Sequence, residues 1–366
     1  MLRVLVSSAF ALSVAAPSVL AGGVERTSQS VGVLFEEGRY LEFSALGLDP
    51  RISGVGGLLS TGVPSGDMAG SQLNFGAAYK ADLNETWSYA IIYDQPYGAD
   101  VFYPNPAYFA GAGGGSTAKL ESHAITGILQ YNLPSSLSFY GGLRAQTLKA
   151  SARVPFLGGY SADGERDLAF GYLAGVAYEK PEIALRVALT YSSEINHGLD
   201  TDESFSATPT VTEIETPKSV NLEFQSGVAE DTLVFGSIRW VDWTAFNITP
   251  PEFGTTFPGS SLVSYADDRT TYTLGIGRRL NETWSVIGSV SYEEHTGSPT
   301  GNLGPNDGLL GVAIGAVYTK DNMKITGGIS YVDVGDAQTQ VGAAVPAGVF
   351  EGNSALAAGI KVGFSF

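Results

Sequence analysis

The sequence predicts an all-β fold, a 14-stranded antiparallel transmembrane β-barrel. Three observations predict it: many segments alternate between apolar and small or polar side chains, short connections alternate with long ones, and charged residues are scarce. Only 16% of the 366 residues are charged, against roughly 25% in soluble domains, and the chain holds 47 Gly, 18 Tyr and 18 Phe. A protein with a lipid-facing outer surface is expected to have this composition.

Net charge excludes nucleic acid as a partner. The chain carries 37 acidic and 20 basic residues, giving a net charge of −17, and it lacks the Lys and Arg clusters that phosphates require. It contains no Cys, so neither a disulfide framework nor thiol chemistry is available. No cofactor is implied.

The first 21 residues read as a secretory signal peptide. Arg3 supplies the positive end, residues 4–16 form an apolar run, and the small residues at 19–21 suit a signal peptidase. The run is too short for a transmembrane helix. We therefore expect residues 1–21 to be removed, so that the mature chain begins at Gly22.

The last segment, 355–366, shows the strand pattern most clearly. Side chains of one parity are apolar and end in two aromatic rings, while the other parity is small or charged. In a barrel the apolar parity faces lipid. A terminal Phe is typical of the assembly signal of outer-membrane barrels, so Phe364 and Phe366 are predicted to contact the barrel-assembly machinery. The apolar set is Leu356, Ala358, Ile360, Val362, Phe364 and Phe366.

Thirteen further segments repeat this alternation. The run 231–247 changes parity between Phe235 and Trp240, which we interpret as a β-bulge. The segments are 39–50, 70–81, 86–95, 117–131, 136–152, 166–179, 182–196, 217–229, 231–247, 269–280, 283–295, 308–320 and 323–335.

Six short connections alternate with seven long ones, as up-and-down strands require. Short periplasmic turns and long external loops are typical of bacterial outer-membrane barrels, so both termini are predicted to be periplasmic. The sequence LNETW at 83–87 recurs at 280–284, and each copy is predicted to place a Trp at the membrane interface. The predicted long loops are 51–69, 96–116, 153–165, 197–216, 248–268, 296–307 and 336–354.

Catalytic or metal-binding residues are sparse. The three histidines, His123, His197 and His295, lie on different hairpins without a nucleophile or ligand pattern. An outer-membrane lipid hydrolase stays an alternative, and ordinary polar positions are the simpler interpretation. The acidic runs 200–203 and 267–268 could attract Ca²⁺ or simply be solvated. No metal site is predicted.

Aromatic residues in a predicted external loop are the better functional clue. Phe102, Tyr103, Tyr108 and Phe109 lie outside the membrane strand, and exposed aromatic patches usually contact something apolar. We therefore predict that they bind a hydrophobic small molecule. Packing between loops or contact with lipopolysaccharide would explain them equally. A general diffusion porin for small polar solutes is the main alternative function.

The chain resembles the FadL family of outer-membrane transporters of long-chain fatty acids and hydrocarbons. The resemblance rests on residues 73–100 (LNFGAAYKADLNETWSYAIIYDQPYGAD), on 217–246 ending in RWVDWTAF, and on 267–294 together with the Phe-terminated last strand. The family's pattern in the second segment is TPxS…WxxWxxF. These motifs cover most of the mature chain in the same order.

The resemblance implies passive uptake of long-chain fatty acids, or of aromatic or aliphatic hydrocarbons, by a monomer. Ligand would be captured by external loops and released sideways at a kink in the third strand. An N-terminal plug would occupy residues 22–38, before a barrel over 39–366. The implied kink is Asp94, Gln95, Pro96, Tyr97 and Gly98, where Pro and Gly favour a bend. At the plug, Phe35, Glu36, Glu37 and Gly38 stand where the family usually has Asn-Pro-Ala.

A fatty acid would need a cation for its carboxylate. Arg144 and Arg186 have lumen parity, and Lys149 and Arg153 lie near the external rim, where the family places basic ligand contacts. These four are the predicted carboxylate contacts. Alternatively, they balance acidic residues inside the barrel.

Overall fold

The structure is a computed structural model that describes residues 23–58, 60–109, 115–341 and 345–366. The predicted signal peptide, residues 1–21, lies outside the described residues. Within the described ranges, no helix combines the length and apolar character needed to cross a bilayer.

The described residues form strands β1 to β23 and one α-helix, α1. The first twelve strands are β1 Tyr40–Arg51, β2 Gly54–Gly56, β3 Gln72–Asp82, β4 Trp87–Asp94, β5 Gly98–Phe102, β6 Thr117–Asn132, β7 Leu137–Val154, β8 Tyr160–Gly164, β9 Asp167–Lys180, β10 Leu185–Ser192, β11 Ile195–Glu203 and β12 Thr210–Thr216. The others are β13 Ser219–Ala229, β14 Thr232–Val241, β15 Asn247–Ile248, β16 Val263–Ser264, β17 Arg269–Arg279, β18 Trp284–Glu293, β19 Leu309–Lys320, β20 Met323–Val334, β21 Ala337–Val341, β22 Val345–Phe350 and β23 Asn353–Ser365. Helix α1 is Pro251–Thr256, and short 3-10 helices cover Gly32–Phe35, Pro181–Ile183 and Trp243–Ala245.

Eighteen of these strands form one closed antiparallel sheet. Strand β1 closes it, because Tyr40 is paired with Lys80 of β3 on one side and with Ser365 of β23 on the other. Four strands of the wall are each interrupted once, so each of the following pairs counts as a single wall strand: β4/β5, β8/β9, β10/β11 and β12/β13. The wall therefore has fourteen strands, and the predicted fold class is confirmed.

Side chains alternate across this wall as predicted. Outward positions are apolar and exposed: Leu143 is 73% exposed, Phe170 70% and Ile329 60%. Inward positions are small or polar and buried, for example Ser88 and Thr126. Since a water-facing surface would not carry a continuous apolar belt, the outer face is built to contact lipid hydrocarbon.

Three predicted loops are wrong, because 153–165, 197–216 and 336–354 are largely strand. In the third, β21 and β22 form a separate three-stranded sheet with β2. Strands β8, β11 and β12 extend the wall beyond the apolar belt, and the actual connections are 155–159 and 204–209. Along β11, Ile195 and Leu199 point inward, whereas Asp200 and Asp202 point outward and are exposed. The alternation continues there, but polar residues replace the outward apolar set, because that face no longer meets lipid.

The predicted bulge between Phe235 and Trp240 is also wrong. Strand β14 pairs with β17 without interruption from Thr232 to Val241. Phe235 points into the barrel, and its ring lies where a Cβ on Gly275 would be, 2.3 Å from the nearest ring atom. A glycine opposite thus admits an inward ring without a change of register. The irregularity of this hairpin lies instead in β13, between Gly227 and Ala229.

The repeated LNETW turns have identical geometry. The Oδ1 atom of Asn84 accepts hydrogen bonds from the backbone N–H of Thr86 and Trp87, both at 2.9 Å. Asn281 does the same in the second turn. Each Trp then packs on a Tyr, with ring centroids 4.8 Å apart for Trp87 and Tyr131, and 5.0 Å apart for Trp284 and Tyr318.

We expect Asn84→Ala to lower the free energy of unfolding by about 1 kcal/mol, since two backbone donors lose their protein acceptor but gain water. Asn281→Ala should cost about the same, and the double variant about the sum, because the turns share no partner. Urea unfolding in detergent micelles, followed by Trp fluorescence, measures this. A variant with Asn84→Asp, which keeps the acceptor, should unfold at nearly the wild-type urea concentration.

Candidate ligand channel

The N-terminal segment, residues 23–38, contacts inward-facing side chains of the wall. The Glu25 carboxylate forms an ion pair with the Arg239 guanidinium, and both side chains are almost wholly buried. Arg239 also donates to Asn221 Oδ1 at 2.7 Å and to Ser219 Oγ at 3.2 Å. A buried charge requires such partners, so the Glu25–Arg239 pair fixes the segment across the lumen.

The wall breaks at the predicted kink, and the N-terminal segment pairs with the break. Strand β4 ends at Asp94 and β5 begins at Gly98. The Arg26 N–H donates to the Pro96 carbonyl at 2.8 Å, and the Gly98 N–H to the Val24 carbonyl at 2.9 Å. The N-terminal segment thus supplies the backbone partners that Pro96 and Gly98 lack in the wall.

This break leaves a stretch, which we call the first seam, where β3 and β4/β5 are not paired. Pairing of β3 with β4 stops at Ala77 and Tyr93, and backbone bonding resumes where the Gly70 N–H donates to the Asp100 carbonyl. Between them, Gln95 Oε1 accepts the Phe75 N–H at 2.7 Å. A side chain therefore replaces the missing ladder at this point.

An apolar cavity of about 40 Å³, the upper cavity, lies at the long-loop end of the lumen. Its wall is made of small residues such as Ala118, Ala152 and Ala162, with larger apolar side chains such as Leu199 and Ile214. Among the described residues lining it, Lys119 alone is charged, and its side chain is 62% exposed on the outward face. The cavity offers no buried charge to a ligand.

The roof of the upper cavity is residues 246–263, which include α1. Ile248, Leu262 and Val263 line the cavity. Glu203 holds this roof to the wall, because its carboxylate accepts the backbone N–H of Glu252 at 3.1 Å and of Phe253 at 2.9 Å. The roof is thus a folded structure, in contrast to an open loop.

Two further cavities continue from the upper cavity to the first seam. The middle cavity, about 50 Å³, shares Ala99 and Leu303 with the upper one. The seam cavity, about 210 Å³, lies behind the first seam against Phe75. Arg26 lines both the middle and the seam cavity, and its Nε donates to the Gln72 side chain. A chain of spaces therefore runs from roof to seam past one arginine.

The structure separates the four predicted carboxylate contacts. Arg144 faces the lumen and donates to Thr126 Oγ1 at 3.0 Å and to the Gln29 side chain. Arg186 also faces the lumen, with its guanidinium 4.6 Å from the centroid of the Phe35 ring. Lys149 and Arg153 lie on the outward face of β7 and are exposed. The structure does not bring these two to the lumen.

The predicted ligand-binding aromatics mostly pack on one another. Tyr103 and Tyr108 stack with centroids 5.2 Å apart, and Phe109 stacks on Phe156 at 4.4 Å. All but Phe156 are at least 97% buried. Phe102 points outward and is 52% exposed. This is the packing between loops that the sequence left as an alternative.

The predicted plug residues lie near the short-turn end of the lumen. Phe35 packs edge-on against Tyr140, and the Glu36 carboxylate accepts a hydrogen bond from Lys324 at 3.0 Å. Glu37 is exposed, and Gly38 adopts a φ of +64°, which favours glycine. Gly38 thus turns the chain from the lumen into β1.

The three histidines have unrelated surroundings. His197 is buried and its Nδ1 lies 2.9 Å from Asp167 Oδ2. His123 stacks with Tyr93 on the outward face, and His295 is largely exposed. Among the described residues, no group of three or more His, Cys, Asp or Glu side chains could hold a metal ion. Asp200 and Asp202 in the acidic run point away from Glu203, on the opposite face of β11.

Asp307 organises the external loop between β18 and β19. Its carboxylate accepts the backbone N–H of Thr296 and Gly297, at 3.1 and 2.6 Å, and pairs with Arg269 at 2.7 Å. Burial acts to raise the pKa of Asp307, but these donors outweigh it and hold the pKa below its ordinary value. The loop is therefore stabilised by the charged form of Asp307.

We expect this stabilisation to be complete above the unfolded pKa of about 3.9 and to be lost as the pH falls through the lower folded value. Limited proteolysis of the loop should therefore stay slow from neutral pH to about pH 4 and accelerate below it. An acid-stable protease provides the measurement. Asp307→Asn should make the loop susceptible at neutral pH, and an unchanged cleavage rate in that variant would contradict the assignment.

Glu25, Arg26 and Arg239 are residues that we did not single out from the sequence. Arg239 carried a signal, because it is a lone cation at inward parity between Phe235 and Val241, within the RWVDWTAF motif. Glu25 and Arg26 carried none, since the segment before β1 has no periodicity that would place it inside the barrel.

A closed barrel of fourteen strands, with an apolar outer belt and apolar internal cavities, defines a channel of the bacterial outer membrane. A family model described as "Outer membrane protein transport protein (OMPP1/FadL/TodX)" matches residues 53–360. The chain belongs to this OMPP1/FadL/TodX family of outer-membrane transport proteins, as the resemblance indicated. Its channel is one for hydrophobic substrates.

Solved structures share the fold. A FadL homologue of Pseudomonas aeruginosa has a TM-score of 0.71 and 14% identity, over 92% of each chain. The Pseudomonas putida toluene transporter TodX has a TM-score of 0.65 and 12% identity, over 95% of this chain and 97% of that one. The Ralstonia pickettii toluene transporter TbuX has a TM-score of 0.63 and 14% identity, over 91% and 90%. No curated protein matches the chain.

Proposed function

We propose that this channel takes up uncharged hydrophobic molecules, such as hydrocarbons, by passive diffusion. The observation that carries the proposal is the upper cavity, whose described lining offers apolar side chains and no buried charge. A desolvated carboxylate there would lack the charge-assisted hydrogen-bond partner that it requires. A neutral apolar molecule needs no such partner. TodX and TbuX, which share the fold, are described as toluene transporters.

Release is proposed to occur sideways at the first seam. The seam cavity lies behind it, and the seam is bridged by the Gln95 side chain instead of a backbone ladder. The N-terminal segment is proposed to act as the plug, since its apolar residues Val33, Leu34 and Phe35 are buried at the short-turn end. An apolar ligand would then reach the bilayer through the seam instead of the periplasm through the plug.

Long-chain fatty acids are the second candidate substrate, and Arg26 favours them. Arg26 lines both the middle and the seam cavity, so a carboxylate could meet this residue after the apolar tail has passed the upper cavity. The N-terminal segment, which carries Arg26, argues against a general diffusion porin, because it would block the route of polar solutes through the lumen. A lipid hydrolase has no support from the surroundings of the three histidines.

Uptake in cells lacking their own hydrophobic transporter tests the proposal. Cells expressing the chain should take up radiolabelled toluene or octane faster than cells with an empty vector. Oleate uptake in the same cells distinguishes the second candidate, and Arg26→Met should reduce oleate uptake while leaving octane uptake high. No gain for octane, toluene or oleate would refute the function.

A further inference from the structure

The seam cavity has a different lining from the upper cavity. Inward polar side chains such as Ser44, Thr326 and Ser330 line it beside apolar ones such as Ala78 and Ile92. It is also the larger of the two, at about 210 Å³ against about 40 Å³. A wholly apolar molecule would cover these polar groups without bonding to them, which costs free energy. The lining therefore suits a molecule that is mostly apolar but carries a polar group.

Two polar atoms at the seam cavity lack a hydrogen-bond partner. Asn74 and Asp94 both line the cavity. Asn74 Nδ2 and Asp94 Oδ1 are buried, and within the described ranges neither atom is bonded to another protein atom. The second carboxylate oxygen of Asp94, Oδ2, accepts a hydrogen bond from Thr27 Oγ1 at 3.1 Å. Because an unpaired buried donor or acceptor is costly, a ligand that bonds to both atoms would be bound favourably.

These two side chains lie on opposite edges of the first seam. Asn74 precedes Phe75 on β3, Asp94 precedes Gln95 at the end of β4, and the Phe75 N–H donates to Gln95 Oε1 at 2.7 Å. Phe75 is outward and 53% exposed, so its neighbour Asn74 points into the barrel. Asp94 is inward as well, because it is buried in the wall. A donor on one strand and an acceptor on the other thus flank the point where the seam is bridged.

We propose that the seam cavity binds the hydroxyl group of an uncharged and otherwise apolar molecule, such as a long-chain alcohol. A hydroxyl oxygen accepts the Asn74 Nδ2–H, and the hydroxyl proton is donated to Asp94 Oδ1. An alkane can make neither bond, and an ether can only accept. A carboxylate has no proton to donate, and it repeats the charge of Asp94. The inference rests on the proposed function for its route and deepens it by naming the substrate class.

The upper cavity is compatible with such a molecule. An uncharged hydroxyl costs far less to desolvate than a charged carboxylate, so an alcohol can cross the apolar lining that the upper cavity presents. The cost of removing its hydroxyl from water is then recovered at the seam cavity. The alkyl chain needs no partner at either place.

Uptake of a matched pair of molecules tests the substrate class. Tridecane has a methyl group where 1-dodecanol has its hydroxyl, so their uptake by cells expressing the chain can be compared at the same low concentration. Asn74→Leu should lower the ratio of dodecanol to tridecane uptake about fivefold, because one hydrogen bond to the alcohol is lost. The control is Thr273→Val, which removes an inward hydroxyl that lines none of the three cavities. Its ratio should equal that of the wild type.

A binding measurement does not depend on transport. In lipid nanodiscs, with binding to protein-free nanodiscs subtracted, the wild type should bind radiolabelled 1-dodecanol more tightly than dodecyl methyl ether, which cannot donate. Asp94→Asn keeps an oxygen for Thr27 and replaces the free acceptor by an amide N–H. Since this N–H can donate to an ether, the preference for the alcohol should disappear in the variant. Equal affinities of the wild type for alcohol and ether would overturn the hydroxyl site.

The two measurements separate the hypotheses. If tridecane is taken up but the Asn74→Leu ratio equals that of the wild type, the hydroxyl site is wrong and the proposed function stands. If the wild type takes up neither molecule, the proposed function is wrong, and the nanodisc affinities still decide whether the seam cavity binds a hydroxyl.

Discussion

Replacing Arg239 by Met is expected to release the N-terminal segment from the lumen and raise the ionic conductance of the channel in planar bilayers. The substitution leaves the Glu25 carboxylate buried without its partner, and breaking a buried ion pair in this way costs about 3–5 kcal/mol. That cost falls on the docked segment, since the hydrogen-bonded wall does not depend on Glu25. Protease cleavage near residue 25 should accelerate in parallel.

Arg279→Met is the matched control for that experiment. Arg279 pairs with Asp231 at 2.5 Å, but at the exposed short-turn end, where both side chains are at least 31% accessible. Such pairs contribute about 0–1 kcal/mol, so conductance should stay at the wild-type level. The double variant Glu25→Gln/Arg239→Met should lie between the wild type and Arg239→Met, because it removes the unpaired charge. Wild-type conductance in Arg239→Met would show that the ion pair does not hold the segment.

Filling the upper cavity is expected to abolish most hydrophobic uptake. Ala152 is 7% exposed and lines the cavity, so Ala152→Phe places a ring in the space that a ligand would occupy. A ligand could bind only by displacing that ring into surroundings that are already packed, which costs about 1–3 kcal/mol. This cost corresponds to a loss of roughly five- to 150-fold in ligand occupancy. Octane uptake at low concentration measures it.

Ala145→Phe provides the control on the same strand. Ala145 has the opposite parity and is paired with the outward residues Ile125 and Phe170, so its ring would face lipid. Both variants should reach the membrane in equal amounts and resist detergent unfolding equally. Equal uptake in the two variants would remove the upper cavity from the route.

The sequence predicted the wall well, because lipid imposes a strict period of two on every membrane strand. Its limits appear above the membrane. There β11 and β12 keep the alternation, but Asp200, Asp202 and Glu213 replace the outward apolar residues. Because these segments are rich in polar residues, the sequence predicts loops where the structure has strands. Pairing across the lumen, as between Glu25 and Arg239, leaves no periodic trace at all.

The candidate site was predicted in part for the same reason. The kink at 94–98 follows from Pro and Gly, which act on their own backbone, and the lumen parity of Arg144 and Arg186 follows from strand period. Lys149 and Arg153 were assigned by their position along β7 without regard to parity, which turns both outward. The first seam could not be predicted from the sequence, because it depends on which backbone groups of two neighbouring strands lack a hydrogen-bond partner in each other.

The roof over the upper cavity comes from one stretch of chain, residues 246–263, which is held to the wall by Glu203 and by packing of Phe253 on Tyr160. Strands β14 and β17 on either side of it are paired directly with each other from Thr232 to Val241, and no roof residue takes part in that ladder. Natural variation can therefore rewrite this stretch without disturbing assembly of the barrel. We expect relatives that share the wall but live on different carbon sources to diverge most at residues 247–263, which follow the family motif that ends at Phe246.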